Sequence, residues 1–377
     1  MTIKHAAGAT VASIALLAPA ISQASIIRWD NHSVIQGTQG ITLAPHVDLA
    51  NWNSASHNLE FALFNADLTS ANFANSDLRR ARFSTGANVS SARFNNANIA
   101  GTHFDSLTSS GFTEAQLDST ASFANHDLTG ATFILDTLAN WNFSHQNLSY
   151  VNFTGAALTN ANISNTTIDN AKFVANTGFT FRQFRTTTSF THHFLVGVRL
   201  LRDNLAGWNF GHQNLTNAAF IFSNLTLANF ANATITGDNF DSSTLSAAQL
   251  TSTANWHARN LTNLTLTNLD LSRARLGRQN LSHDSLAFTL LPFSNLSGAN
   301  LTGTNFTDAF LAHDALTGAN LTRTNLSDAD LRGAVGVKLL RTTITANTIH
   351  INGNIAGLSL RPNEKLIISN CSDHTTT

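Results

Sequence analysis

The feature that most constrains this 377-residue chain is a phase. From Phe123 to Phe173 every fifth residue is Leu, Ile or Phe, eleven in succession, and the run includes Phe123, Leu128, Phe133, Leu138, Phe143, Leu148 and Phe153. A second run of eleven goes from Phe190 through Phe210 and Leu215 to Phe240. A third, of sixteen, goes from Trp256 through Leu301, Phe306 and Leu321 to Leu331. Two residues before each centre there is often a small residue, and one before it Asn or Asp, as in Ala299-Asn300-Leu301, Ala319-Asn320-Leu321 and Ala329-Asp330-Leu331. A period of five fits neither a helix at 3.6 nor a strand at 2. Periodicity held this long marks a repeat architecture.

Composition narrows the class. Only 11% of residues are charged, with 21 basic and 22 acidic residues, against about 25% in ordinary soluble domains. That balance excludes a basic nucleic-acid binder and an acidic polyanion. A single Cys excludes a disulfide framework and a Cys-based zinc site. There are 26 Phe and one Tyr, as expected for a dry interior in which a phenolic hydroxyl would need a partner.

These motifs resemble the pentapeptide-repeat family, whose unit is A-(N/D)-(L/F)-x-x, over residues 49–334. The resemblance implies an all-β fold, a right-handed quadrilateral β-helix. Each unit would form one side, four sides one coil, and the centre and the small residue would point inward. Stacked Leu and Phe columns contribute about 1.5–3 kcal/mol per fully buried side chain. Asn or Asp before each centre is expected to hold the tight corner.

A longer repeat lies above the short one. Trp141-Asn142-Phe143 through Leu148 matches Trp208-Asn209-Phe210 through Leu215, and Trp52-Asn53 begins an earlier copy. Between the long runs, Thr113-Glu114-Ala115-Gln116, Thr180-Phe181-Arg182-Gln183 and Ser246-Ala247-Ala248-Gln249 each match a capping box. They predict three short helical bulges. If each fills one side, all three project from one face. The count then gives about thirteen coils, a rod on the order of 60 Å at strand-type spacing.

The ends differ from the repeat. Lys4, the apolar stretch Ala6–Ala20 and Ser22-Gln23-Ala24 read as a secretory signal peptide (residues 1–24) cleaved near Ala24. The stretch is shorter than the ~20 residues that span a bilayer, and no membrane span is expected. Residues 25–48 read as an N-terminal cap and 335–377 as a C-terminal β cap and tail. In the latter, Thr348–Ile351, Asn352-Gly353 and Leu358–Leu360 form an expected hairpin, and the phase ends at Leu331. A similar segment follows the repeats in some secreted bacterial members of the family.

Candidate chemistry is sparse. Asn214, Asn260, Asn300 and Asn320 head Asn-x-Ser/Thr triplets, which the repeat generates by itself. His126 and His193 match Arg259 in the third long repeat, and His145 and His212 match Arg278. A metal ladder would not accept Arg, so an exposed corner is expected instead. Asp127, Asp136, Asp169, Asp203, Asp238 and Asp241 show no paired spacing of a glycosidase. Cys371 reads as a solvated tail residue. Trp52, Trp141 and Trp208 replace the usual small residue, either as packing below the bulges or as a surface platform for sugars. No catalytic residue, cofactor or metal is expected.

The reading is a secreted, non-catalytic structural or interaction rod, whose polar uncharged faces contact protein or polysaccharide. A carbohydrate-active or ice-binding β-solenoid is the alternative. Some family members mimic DNA and bind type II topoisomerases. The near-neutral charge and the export signal disfavour that here, and no nucleic-acid partner is expected. Open coil ends allow end-to-end self-association.

Overall fold

The computed structural model describes residues 25–84 and 86–357. The signal segment 1–24, the return arm at Leu358–Leu360 and Cys371 lie outside the described residues.

The chain forms a solenoid-like β-helix. The residue before each centre pairs in parallel with its counterpart one coil on. In the regular part that coil is twenty residues, as in Asn280 with Asn300 and Asn300 with Asn320. Four ladders run side by side and are numbered here in chain order. Side one holds Arg275, Asn295, Ala315 and Val335; side two holds Asn260, Asn280, Asn300 and Asn320. Side three holds Thr265, Ser285, Asn305, Asn325 and Ile344; side four holds Asp270, Leu290, Phe310, Asp330 and Ile349. The side-three ladder is unbroken from Leu63 through Arg82, His103, Thr132, Asn152, Lys172, Arg199, Ala219 and Asn239 to Ile344. Extended stretches stay as short as Leu63–Phe64 and Lys172–Val174, because a corner interrupts them every five residues.

The corner sits two residues past each centre, where φ turns positive: Asn140 (66°), His145 (64°), Leu227 (58°) and Arg278 (58°). For an L-residue this conformation costs about 1–2 kcal/mol, and Asn, Asp and His accept it best. His126, His145, His193, His212, His283 and His313 all stand there, which accounts for much of the histidine content. The pre-centre Asn therefore does not take the positive φ itself, but its side chain bonds the neighbouring backbone, as the sequence pattern implies. Its Oδ1 accepts the backbone N–H two residues on: Ser297 to Asn295 at 2.9 Å, Thr307 to Asn305 at 3.1 Å. The Thr307 hydroxyl donates to the same Asn305 oxygen at 2.7 Å, which explains Thr after the centre. Asn side chains also link coils, Asn300 Nδ2 donating to Asn280 Oδ1 at 2.8 Å.

The interior is one column of large side chains. Leu128, Phe133, Leu138, Phe143, Leu148, Phe153, Phe210, Leu215, Phe240, Leu301, Phe306, Leu321 and Leu331 are all buried. On side three, Phe64, Phe83, Phe104, Phe133, Phe153 and Phe173 stack ring on ring, with centroids 4.9–5.8 Å apart. Such pairs add about 0.5–1.5 kcal/mol each beyond area burial. Phe123 and Phe190 do not belong to this column. They are partly buried and lie in helices, where the inward positions go to Ser122 and Ser189. A helical turn advances 100° per residue, so a phase read through it at five residues selects the wrong side chain.

Three coils are enlarged. The side-three ladder steps from His103 to Thr132, Lys172 to Arg199 and Asn239 to Thr265, which is 29, 27 and 26 residues. The extra chain forms helix pairs: α1 (Glu114–Asp118) with α2 (Ala121–Ala124), α3 (Phe181–Phe184) with α4 (Thr188–Thr191), and α5 (Ala247–Thr251) with α6 (Ala254–His257). Thr113, Thr180 and Ser246 cap the first helix of each pair in reciprocal boxes with Gln116, Gln183 and Gln249.

The solenoid is extended at both ends. Ile26 and Ile35 are buried under the first coil, and Ile27 pairs antiparallel with Val34. At the other end the ladder runs on past Leu331, through Ile344 and Ile349, each nineteen residues beyond its partner. The change of coil length hides these two from a strict count of five. Ile349 then pairs antiparallel with Ile355.

Candidate functional site

The helical insertions are the departures from the bare repeat, and each makes the same contacts with the coil before it. Gln116 Nε2 donates to the Val89 and Ala92 carbonyls, both at 2.9 Å. Gln183 does the same to Leu158 and Ala161, and Gln249 to Leu225 and Ala228. In the second helix, Ser122, Ser189 and Asn255 accept the backbone N–H of Ile99, Ile168 and Ile235. Side chains thus take over the ladder bonds that the helical backbone no longer offers.

Trp141 and Trp208 lie beside helical insertions and Trp52 beside the antiparallel hairpin Asn53–Ser54/His57–Asn58 of the first coil; all three are 6–9% exposed. Trp52 stacks on His57 with centroids 3.6 Å apart. Trp141 meets Phe112 and Phe143, and Trp208 meets Phe181 and Phe184. They are packing residues that fill the widened corner, not a surface platform for sugars. Beside α3 a cleft of about 550 Å³ opens between the helix and the coil below, lined by Asn160, Asn162, Ser164, Thr180, Arg182 and Thr186. Gly178 closes its edge at φ +70°, where an added Cβ would lie 2.7 Å from Thr159 Cα.

Other sequence candidates fall apart in space or into the scaffold. His126 and His193 meet the inward amides of Gln146 and Gln213 through Nδ1, at 3.4 and 3.2 Å. No group of three metal-ligating side chains gathers among the described residues. Asn214, Asn300 and Asn320 hold their own turns, each accepting the N–H two residues on; Asn260 accepts the Thr262 hydroxyl. One cluster was not foreseen: the Thr132 hydroxyl donates to Asp105, with His103 Nδ1 at 3.2 Å from that hydroxyl. Burial opposes ionisation of Asp105, but bonds from His103 and Thr132 outweigh it and hold the carboxyl below its usual range. The cluster ties two successive coils of side three together.

The carboxylates hold a second surprise. Asp136, Asp203, Asp238, Asp284 and Asp314 stand two residues before a centre, where the small inward residue belongs. Each accepts one backbone N–H on Oδ1, at 2.8–3.2 Å. Oδ2 of each is buried and without a partner among the described residues. Burial pushes Asp136 up to about 6, Asp203 to about 7 and Asp314 to about 8, against the pull of the accepted N–H. Burial raises Asp238 and Asp284 well above the ordinary carboxyl value, again against the pull of the accepted N–H. Hydroxyls at equivalent positions donate to a carbonyl 23 residues earlier: Thr289 to Leu266, Thr304 to Leu281, Thr324 to Leu301. A protonated carboxyl carries its hydroxyl on the oxygen left over and is the same kind of donor. These residues are read as Thr analogues in the ladder, whose neutral form burial favours.

With this geometry in hand, the comparisons fall into place. The family model for pentapeptide repeats (8 copies) matches residues 63–84, 138–173, 285–313 and 294–335, so those segments are pentapeptide repeats. Similar solved structures include HetL, a pentapeptide repeat protein involved in heterocyst differentiation regulation from the cyanobacterium Nostoc sp. strain PCC 7120. It is 24% identical over 59% of this chain and 91% of its own, with a TM-score of 0.25. A pentapeptide repeat protein of the Arabidopsis thaliana thylakoid lumen is 24% identical over 27% of this chain and 68% of its own, at 0.21. QnrB1, a plasmid-mediated fluoroquinolone resistance protein, is 13% identical over 73% and 91%, at 0.17. Superpositions of that quality carry no argument about shared function. No curated protein matches the chain.

Proposed function

We propose that the chain is an exported, non-catalytic interaction rod: a right-handed, four-sided β-helix of about thirteen coils at ~4.8 Å each. Residues 25–48 and 335–377 cap it, and its three helix pairs project from one side. The observation that carries this reading is the ladder from Leu63 to Ile344, which passes through all three insertions without losing a step. The inward positions are used up by the column, and what is left faces outward in flat rows of Asn, Thr and Ser. Such rows suit contact with a protein or a polysaccharide rather than a small molecule in a pocket. No helix of the described residues is long and apolar enough to cross a membrane. The sequence of residues 1–24 is the support for export.

Two measurements test the proposal together. Fractionation of the producing cell is expected to recover the protein beyond the cytoplasmic membrane, starting near Ser25. A binding panel of polysaccharides is expected to give saturable retention. Full-length protein in the cytoplasm would overturn the export reading, and thermal hysteresis in its place would favour an ice-binding role.

A further inference from the structure

Near-zero net charge conceals a local concentration of arginine on side one. From Trp141 to Gly318, side one carries Arg182, Arg185, Arg275 and Arg278, with Arg273 on the corner leading into it. All five are exposed, and none forms an ion pair among the described residues. Of the carboxyls on that stretch, Asp314 is buried and Glu114 of α1 is engaged at its start, accepting the Asn142 N–H at 2.6 Å. Across the rod, side three and its corners mix Asp241, Asp308 and Asp328 with the exposed Lys172, Arg199 and Arg202. Arg273, Arg275 and Arg278 span a single side of a single coil from corner to corner, directly after the third helix pair. Arg182 lies four coils earlier, ~19 Å away along the axis at ~4.8 Å per coil, in the cleft beside α3.

Resting on the interaction-rod reading, we infer that side one binds an acidic polysaccharide laid along the axis. The arginines would hold carboxylates and the exposed amides of Asn229, Asn232 and Asn295 would meet sugar hydroxyls. Arginine suits this because its planar fork pairs with a carboxylate in two parallel bonds. Unpaired guanidinium groups gathered on one side of one coil also draw a polyanion to that place. Duplex DNA fits less well. It presents one charge per ~1.7 Å, far denser than five arginines over this length.

The test titrates the full chain with polygalacturonate, neutral dextran and duplex DNA at two salt concentrations. The expected result is saturable polygalacturonate binding that weakens with salt. The Arg273→Gln, Arg275→Gln, Arg278→Gln triple variant, melting as the parent does, is expected to bind at least tenfold more weakly. If that variant melts early, Arg275→Gln alone is expected to lose about threefold, roughly 0.6 kcal/mol. An Asp241→Asn, Asp308→Asn, Asp328→Asn variant is expected to bind no more weakly than the parent. Equal binding by the arginine variants, or preference for DNA, overturns the inference. Binding to dextran without polygalacturonate also overturns it, while leaving the interaction-rod reading intact.

Discussion

Between Leu261 and Leu331 every coil closes in twenty residues, and Leu dominates the centres. Between Phe94 and Leu261 three coils take on a helix pair, and the column around them mixes Phe with Leu and Ile, where the regular coils hold one Phe centre, Phe306. The two regions share one ladder but close it differently. The regular coils need only backbone bonds and Asn rows. The enlarged coils need Gln116, Gln183 and Gln249 to reach carbonyls the helix cannot reach, and Trp141 and Trp208 to fill the corner it leaves. Insertions are tolerated where side chains replace the missing ladder bonds and large rings replace the missing volume.

The largest effect that would sharpen this contrast is in the stack. Phe133→Ala is expected to cost about 3–5 kcal/mol, and Leu301→Ala about 2–5, read as midpoints of denaturant unfolding. Equal costs at matched burial would mean that ring stacking adds nothing to the enlarged half. Next, Gln183→Ala removes a capping partner and two interior bonds, and is expected to cost about 2–3 kcal/mol. A loss below ~0.5 kcal/mol would show that the helix pair is not tied to the coil through Gln183.

Two glycines with φ +70° separate strain from crowding. Gly178 faces Thr159, whereas a Cβ on Gly207 meets nothing within 4 Å. Gly207→Ala carries only the backbone penalty of about 1–2 kcal/mol, and Gly178→Ala is expected to exceed it by about 1 kcal/mol or more. Identical melting temperatures for the two variants would remove the close contact.

The pH response is gentler and tests the buried carboxyls. Their folded values lie above the ordinary one, so the folded state holds protons that the unfolded chain has released. Their contribution is present below about pH 4 and is lost as pH rises through about 6 to 8. Melting temperature is therefore expected to fall across that window. Asp314→Thr is expected to flatten part of the fall, because its hydroxyl donates at every pH. A Tm that rises from pH 5 to 8 and is unchanged in slope by Asp314→Thr would show these groups ionised.

Much of this fold is legible in the sequence, for a local reason. One centre in five must be large and apolar, so Leu128, Phe133 and Leu301 announce themselves. Phe123 and Phe190 mislead because a helix changes the phase, while the aromatic keeps to the counting. Ile344 and Ile349 are passed over because the last coils shorten to nineteen residues. The corner is also hidden. Its left-handed backbone is imposed by closure of the coil, so Leu227 and Arg278 adopt it as well as Asn140. The arginine side is hidden more deeply still, since assigning Arg182 and Arg275 to one side requires counting through an insertion whose length only the structure supplies. The inward Asp residues had a signal that was available: they occupy the position two before a centre, which separates Asp238 from pre-centre Asp127.

The central claim is that register survives all three insertions. Spin labels at Ala115, Arg182 and Ala248, exposed and equivalent positions of α1, α3 and α5, test it directly through distances measured by electron paramagnetic resonance. Three coils separate each successive pair, so the account predicts about 14 Å for each and about 29 Å from first to last. Unequal short distances, or a long one that falls well below their sum, would place the helices on different sides and contradict it.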